Sequence, residues 1–168
     1  MVRRSEAMNI FHISEVVDMG IEKEKKRRDF YDLVAKSFQE EASKKLFLRL
    51  RDWEVTHIKK FTEIKESLGE TEAAESYPGE LSAYMRSLVD DKLYNQVTPQ
   101  EFSQNVKSVL DAIQYGLGFE KDAILFFSEF KAYASDTHKE VIEQLINEEK
   151  QHIIYLVNLK KEMLKEPE

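Results

Sequence analysis

The chain has 168 residues, a formal net charge of −7 and no cysteine. The absence of cysteine excludes disulfides, zinc–thiolate sites, iron–sulfur clusters and cysteine nucleophiles, which leaves histidine and carboxylate as metal ligands. The acidic balance argues against nucleic-acid binding, because phosphate recognition needs a clustered basic surface. We expect residues 1–168 to form a single domain, since a chain of this length can bury a sizeable core by itself.

No targeting or membrane segment is predicted. The N-terminal sequence MVRRSEAM carries charge but is not followed by an apolar stretch long enough for a signal peptide. No run in the chain approaches the length of a membrane span. We therefore expect a cytoplasmic protein without a membrane partner.

A first long helix is predicted over about 13–39, where apolar or small residues recur at steps of three and four. This helix contains a basic run formed by Lys23, Lys25, Lys26, Arg27 and Arg28. Acidic residues are interspersed with these cations, a mixture that favours a solvated helix face over a phosphate site.

A second helix is predicted from about Ser43 to a stop at Gly69, with its apolar residues on one stripe. The connection between the first two helices is short, so they should form an antiparallel hairpin over 13–68.

A long crossover is predicted over 69–105, and it offers at most a short helix before the sequence TPQE at 98–101 starts a new helical segment. A second hairpin follows over 106–163, and its last helix is predicted to start at the capping box THKE at 137–140. The expected fold class is all-α, with four long helices in two hairpins joined by the crossover.

The two halves of the chain repeat one pattern. Glu24 lies seven residues before Tyr31, and Glu120 lies seven residues before Phe127. The sequences EVTH at 54–57 and EKQH at 149–152 each place a glutamate three residues before a histidine, and the second follows the first by 95 positions. Each half therefore contains a helix with one inward glutamate and a helix with a Glu-x-x-His pair.

Helical phase places six polar side chains of this repeat on otherwise apolar faces. They are Glu24, Glu54, His57, Glu120, Glu149 and His152. Burying four carboxylates without compensation would cost more than the stability of a small domain, so they must protonate, pair with buried bases or bind metal. Two divalent cations would neutralise four carboxylates and bind two imidazoles, and this oxygen-rich set suits iron or manganese better than zinc.

This pattern resembles the ferritin-like di-iron carboxylate proteins, and among them the rubrerythrin-type four-helix domain, over residues 13–68 and 106–163. The resemblance implies a ferritin-like bundle that holds two iron ions, with manganese or a mixed pair as alternatives. It also implies a role for each residue: Glu54 and Glu149 bridge the metals, Glu24 and Glu120 are terminal ligands, His57 and His152 bind one metal each, and Tyr31 donates a hydrogen bond to the site.

The resemblance further implies an oxidoreductase in which the six ligands are catalytic and the ferrous pair reduces peroxide or dioxygen during oxidative stress. The chain has no cysteine-bound iron to supply electrons, so we expect an external donor such as a rubredoxin-like protein. Rubrerythrins carry a further glutamate one turn after the ligand that matches Glu120, and this chain has Ala123 there. The matching position in the first half is Arg27, whose side chain either bonds a neighbouring carboxylate or turns outward.

Two functions of other classes are also considered. Iron storage would require a cage-forming oligomer, and a metal-free helical interaction module would not need the six intact residues. A single Glu-x-x-His would be explained more simply as a solvated pair. We expect His12 and His138 at the surface or in loops. Trp53 is expected either to pack in the core or to lie beside the site. The crossover 69–105 is expected to form a lid or the contact of a homodimer.

Overall fold

The computed structural model describes residues 11–68, 72–73, 80–89 and 98–165. These ranges contain six helices: α1 (Ile13–Ser37), α2 (Glu41–Ser67), α3 (Glu80–Val89), α4 (Pro99–Asn105), α5 (Val109–Lys131) and α6 (Asp136–Met163). A two-residue antiparallel pairing joins β1 (Phe11–His12) to β2 (Glu72–Ala73). The predicted all-α class is confirmed. No helix in the described ranges is both long enough and apolar enough to cross a membrane.

The four long helices pack as two hairpins, α1 with α2 and α5 with α6. Further contacts join α1 to α5 and α2 to α6, and these close the bundle. The short helix α3 packs against α1 and α5 and buries Met85 completely. Helix α4 packs against α1 and contributes the buried Phe102. Two short helices of the predicted crossover therefore cover part of the bundle.

The start of the second hairpin differs from the sequence prediction. Thr98 caps α4 as expected, but that helix ends at Asn105. A second cap then starts α5, because the Ser108 side chain accepts a hydrogen bond from the Asp111 amide while the Asp111 carboxylate accepts one from the Ser108 amide. This reciprocal capping box fixes a new helix axis two residues after Val106.

The predicted capping box at 137–140 is wrong. Helix α6 begins at Asp136, because Ser135 is the N-cap and its hydroxyl accepts a hydrogen bond from the His138 amide. Serine is at least as good an N-cap as threonine, and the earlier of the two candidates starts the helix here. At the other end of the first hairpin, α2 ends at Ser67, and the predicted stop at Gly69 lies outside the described residues.

The hydrophobic core consists of two clusters separated by a polar layer. The first cluster includes Val17, Phe61, Phe127 and Ile142. The second includes Phe30, Phe47, Phe119 and Leu156. Along each long helix the chain passes from one cluster to the other, and the buried charged residues and histidines lie between them. The hydrophobic clusters thus hold the four helices on both sides of the polar layer.

Two glycines allow close helix packing beside the polar layer. Gly20 and Gly116 each lie one turn before the glutamate that their helix contributes to this layer. A Cβ atom at Gly20 would meet ring carbons of Phe61 and Phe126 at 3.3 Å, and one at Gly116 would meet a Leu156 methyl at 3.1 Å. Both contacts are tighter than ordinary packing, so both positions favour glycine. Because the two glycines precede matching glutamates, the repeat of the two halves includes them.

Candidate metal centre

The polar layer contains all six of the site residues predicted from the sequence. They are Glu24 from α1, Glu54 and His57 from α2, Glu120 from α5, and Glu149 and His152 from α6. Every one is buried, and the most accessible is only 2% exposed. Residues three apart share a helix face, so each Glu-x-x-His pair directs both side chains into the bundle.

The six residues form two overlapping sets of four. Each residue of a set offers one nitrogen or oxygen, and these atoms lie within 4.8 Å of one another. The first position is lined by Glu24, Glu54, His57 and Glu149, and the second position by Glu54, Glu120, Glu149 and His152. Glu54 and Glu149 belong to both sets, which is the placement that carboxylates bridging two metals require.

The two shared carboxylates turn one oxygen toward each position. On the side of the first position, His57 Nδ1 lies 3.1 Å from Glu149 Oε1 and 3.4 Å from Glu54 Oε2. On the side of the second, His152 Nδ1 lies 2.8 Å from Glu149 Oε2 and 3.9 Å from Glu54 Oε1. Both imidazoles therefore present the same ring nitrogen to the same pair of carboxylates.

The donor atoms of this cluster fit a metal site because most of them lack hydrogen bonds. Eight buried atoms of the six residues make no hydrogen bond of good geometry within the described part of the chain, although the imidazole nitrogens lie close to the carboxylates: Glu24 Oε2, both carboxylate oxygens of Glu54 and of Glu149, Glu120 Oε2, and Nδ1 of His57 and of His152. Buried polar atoms are normally satisfied, and leaving this many unsatisfied is costly. Oxygen and imidazole donors converging on a dry centre suit divalent iron or manganese.

Hydrogen bonds from neighbouring residues orient the ligands. The Tyr31 hydroxyl donates to Glu120 Oε1, as the family resemblance implies, and burial raises the pKa of Tyr31 well above its usual value. On the other side of the cluster, His57 Nε2 lies 2.8 Å from Glu148 Oε2, and Lys60 donates to the same carboxylate at 2.7 Å. This arrangement turns Nδ1 of His57 toward the cluster, as metal-binding histidines require.

Arg27 is the main departure from the expected site. The basic run of α1 was expected to be solvated, but Lys23 and Arg27 are completely buried. The Arg27 guanidinium bonds Glu24 Oε1 and lies 3.5 Å from Glu54 Oε2 and 3.6 Å from Glu149 Oε1. Of the two alternatives for this side chain, the inward one is observed. The cluster therefore contains a permanent cation beside its carboxylates.

The electrostatics of the metal-free cluster favour protons where metals would bind. Burial and the neighbouring Glu149 and Glu54 carboxylates raise the pKa of Glu120 to about 8. Burial alone would lower the pKa of His152, but Glu120 and Glu149 outweigh it and raise that pKa to about 10. Burial likewise opposes the charge of Glu149, yet His57, His152 and Arg27 hold its pKa well below the usual range. In the metal-free state, the protons held by Glu120 and His152 therefore offset part of the negative charge of the core.

Trp53 lies between the cluster and the surface. Its ring stacks on His152 with centroids 4.7 Å apart, and the guanidinium carbon of Arg49 lies 4.8 Å from the centroid of the indole. A pocket of about 250 Å³ opens at this place. It is lined by Trp53, Thr56, Glu148, Gln151, His152 and Tyr155. The pocket reaches His152, which belongs to the second position.

We expect Trp53 emission to report metal binding at the second position. Trp53 is the single tryptophan of the chain, and it stacks directly on His152. Cobalt(II) should quench most of the emission, because its partly filled d shell accepts excitation energy over this short distance. Zinc(II), with a filled d shell, serves as the control and should change the emission much less. If cobalt bound and the Trp53 emission did not change, a metal beside His152 would be contradicted.

Three functional neighbours were missed or left open by the sequence patterns. Glu148 and Lys60 orient His57 from two different helices, and neither belongs to a motif. Arg27 was identified as the counterpart of Ala123, and its position three residues after Glu24 on the same face was the signal for burial. Of the two histidines expected at the surface or in loops, His138 is half-buried in the first turn of α6, where its ring nitrogens lie beside the hydroxyls of Ser67 and Ser135, and the side chain of His12 lies outside the described residues.

Comparisons with known proteins agree with this architecture. No protein-family model matches the chain, and no curated protein matches it. A crystal structure of a protein from Thermotoga maritima, described as a ferritin-like diiron-carboxylate protein, superposes with a TM-score of 0.64. The match covers 92% of this chain and 98% of that one at 22% sequence identity. The chain therefore has the ferritin-like fold, with a buried carboxylate and histidine cluster at its centre.

Proposed function

We propose that this protein is a di-iron carboxylate oxidoreductase of the rubrerythrin type, which reduces peroxide or dioxygen with electrons from an external donor. One observation carries the proposal: six buried residues divide into two four-residue sets that share two carboxylates. The protein from Thermotoga maritima with the same fold is described as a diiron-carboxylate protein, which supports iron as the metal.

Each residue has a defined part in holding the metals. Glu54 and Glu149 would bridge the pair, since each turns one oxygen toward each position. The terminal carboxylates would be Glu24 at the first position and Glu120 at the second, with His57 and His152 as the respective imidazole ligands. When bound, a ferrous pair supplies two electrons, one from each iron.

The surrounding residues control access and orientation. The pocket beside Trp53 and His152 admits an oxidant of the size of peroxide. The two hydrophobic clusters exclude bulk water from the rest of the layer, which strengthens the electrostatic interactions inside it. Tyr31 fixes the orientation of Glu120, and Glu148 fixes that of His57. The ligands are thus preorganised by contacts outside the metal positions.

The external donor follows from the electron count. Reduction of one peroxide to two waters breaks the O–O bond and consumes two electrons and two protons. For each peroxide reduced, the external donor would have to supply two electrons. The 168 residues contain no cysteine for a second iron site of the rubredoxin kind, and we propose that an external donor, such as a rubredoxin-like protein, supplies these electrons.

The test is peroxide reduction by protein loaded anaerobically with ferrous ion. We expect about two irons per chain and one peroxide consumed for each iron pair, faster than by the same amount of free ferrous ion. Stopped-flow absorbance of the ferric product and direct metal analysis provide the two measurements. Protein that binds two irons but consumes peroxide no faster than free iron would exclude the peroxidase function.

Native mass separates this function from iron storage. A storage protein would take up many irons per chain and assemble into a closed cage, whereas the proposed oxidoreductase stops at the pair. Analytical ultracentrifugation of the iron-loaded protein, with excess ferrous ion and oxygen, measures both the mass and the iron content. A cage-sized particle with a mineral core would contradict the proposed oxidoreductase and show that the protein stores iron.

A further inference from the structure

The two halves of the metal centre are unequal although the sequence repeats. Tyr31 of the first half corresponds to Phe127 of the second, and Arg27 corresponds to Ala123. As a result, the terminal carboxylate Glu120 accepts a hydrogen bond from a neutral phenol. Its counterpart Glu24 is bonded instead by a guanidinium. The pseudo-symmetric pair of glutamates therefore has two different environments.

The guanidinium faces the oxygens of the first position. Arg27 bonds Glu24 Oε1, and its other two carboxylate contacts are Glu54 Oε2 and Glu149 Oε1, at 3.5 Å and 3.6 Å. Those two oxygens are the ones that face His57, while the opposite oxygens of the same carboxylates face His152. A cation is thus placed against three of the four residues that line the first position.

A cation placed there opposes a metal ion in two ways. Its charge repels a divalent ion a few ångströms away in a buried site, where charges interact strongly. Its bond to Glu24 also occupies a terminal ligand that the first position needs. The Arg27 side chain is completely buried, and its guanidinium carbon lies 5.8 Å from the centroid of the Phe127 ring, so the cation belongs to the core of the bundle.

We propose that Arg27 makes the two metal positions unequal, so that the position of Glu120 and His152 binds the first metal and the position of Glu24 and His57 binds a second one far more weakly. This inference rests on the proposed two-metal site. It assigns Arg27 as a positioning residue that stands in for part of the charge of the second metal. The resting protein then holds one tight metal and one exchangeable position.

The test is an anaerobic cobalt(II) titration followed by d–d absorption and by equilibrium dialysis. The wild type should bind two ions in separate steps, the second at least about tenfold more weakly than the first. The variant Arg27→Ala makes this position identical to its counterpart Ala123, and the two affinities should converge. Arg27→Gln keeps most of the side-chain volume without the charge and should act in the same direction if the alanine variant folds poorly.

Isosteric ligand variants identify which position fills first. Glu120→Gln should remove the tight step, whereas Glu24→Gln should leave it in place and weaken only the second step. Two equal affinities in the wild type, or loss of the tight step in Glu24→Gln alone, would overturn the inference.

The outcomes also separate this inference from the proposed function. Folded wild-type protein that binds no cobalt at all would overturn both. Two ions bound with equal affinity would leave the two-metal site intact and remove only the role of Arg27. A wild type that binds a single ion and an Arg27→Ala variant that binds two would support the role of Arg27 but would remove the two-metal site of the wild type on which the proposed function rests.

Discussion

Replacing Glu54 and Glu149 together by glutamine is expected to abolish binding of both metals. These two residues are the only ones shared by the two four-residue sets, and they contribute four of the eight buried atoms that lack hydrogen-bond partners among the described residues. Glutamine keeps the volume of each side chain but offers a neutral carbonyl in place of a charged ligand. Each position would lose two anionic donors at once, and the one carboxylate and one imidazole that remain are too few to hold a divalent ion tightly.

Metal-linked stability gives a readout that does not depend on activity. A ligand at about a hundred times its dissociation constant stabilises a folded protein by about 2.7 kcal/mol. The wild type should show a rise of at least this size on adding cobalt(II) or ferrous ion, and Glu54→Gln/Glu149→Gln should show none. Urea denaturation followed by far-ultraviolet circular dichroism measures the difference and also establishes that the metal-free variant folds.

The matched control changes two exposed glutamates on the same helices. Glu63 on α2 and Glu162 on α6 lie at the surface, away from the polar layer. Glu63→Gln/Glu162→Gln removes the same charge from the same helices and should keep the full metal-induced stabilisation. If the core variant retained that stabilisation, the metals would have to bind elsewhere.

The residues of the centre could be predicted because two periodicities coincide in them. Helical phase places Glu54 and His57 within one apolar stripe, and the same pattern returns 95 positions later as Glu149 and His152. A buried polar residue within an apolar stripe is informative by itself, and its repetition in the second half is more so. The four-helix architecture follows from the same stripes and from short connections within each hairpin.

The surroundings of the centre depend on contacts that no single helix specifies. Glu148 precedes Glu149 and points to a different side of α6, where it meets His57 and Lys60 of α2. Arg27 lies on the inner face of α1, but the cations around it favoured a solvated face. Its burial is explained by carboxylates from α2 and α6 that only the folded bundle brings to it. The start of α4 was predictable because Thr98 is a single good cap, whereas two candidate caps compete at the start of α6.

The metal-free protein is expected to lose stability as the pH rises from about 6 to about 9. In the folded state the pKa of Glu120 is about 8 and that of His152 about 10. Both values lie above the ordinary pKa values of about 4.3 and about 6.5 that these groups have in an unfolded chain. A group with a raised folded-state pKa contributes stability below its unfolded pKa and loses it as the pH rises through the folded value.

The size of the effect follows from the number of protons involved. Each proton that the folded state holds and the unfolded state does not changes the free energy of unfolding by about 1.4 kcal/mol per pH unit. Between about pH 6.5 and pH 8 both groups act in the same direction, so a loss of a few kcal/mol is expected. Glu149, whose pKa is lowered, acts only in acid, because its contribution is lost when the pH falls below its ordinary value.

Metal should reverse this dependence. Bound cations replace the protons on the carboxylates and imidazoles, so the apparent metal affinity rises with pH. The stability that the metal adds to the metal-free protein should therefore be larger at pH 8 than at pH 6. Urea denaturation of chelator-treated and cobalt-loaded protein across this range measures both slopes.

Glu120→Gln keeps a partner for the Tyr31 hydroxyl but cannot titrate, and it should flatten the pH dependence of the stability of the metal-free protein. A metal-free protein whose stability is constant or rises over this range would show that the carboxylates of the core are already ionised at neutral pH, with Arg27 and the two imidazoles as sufficient counterions.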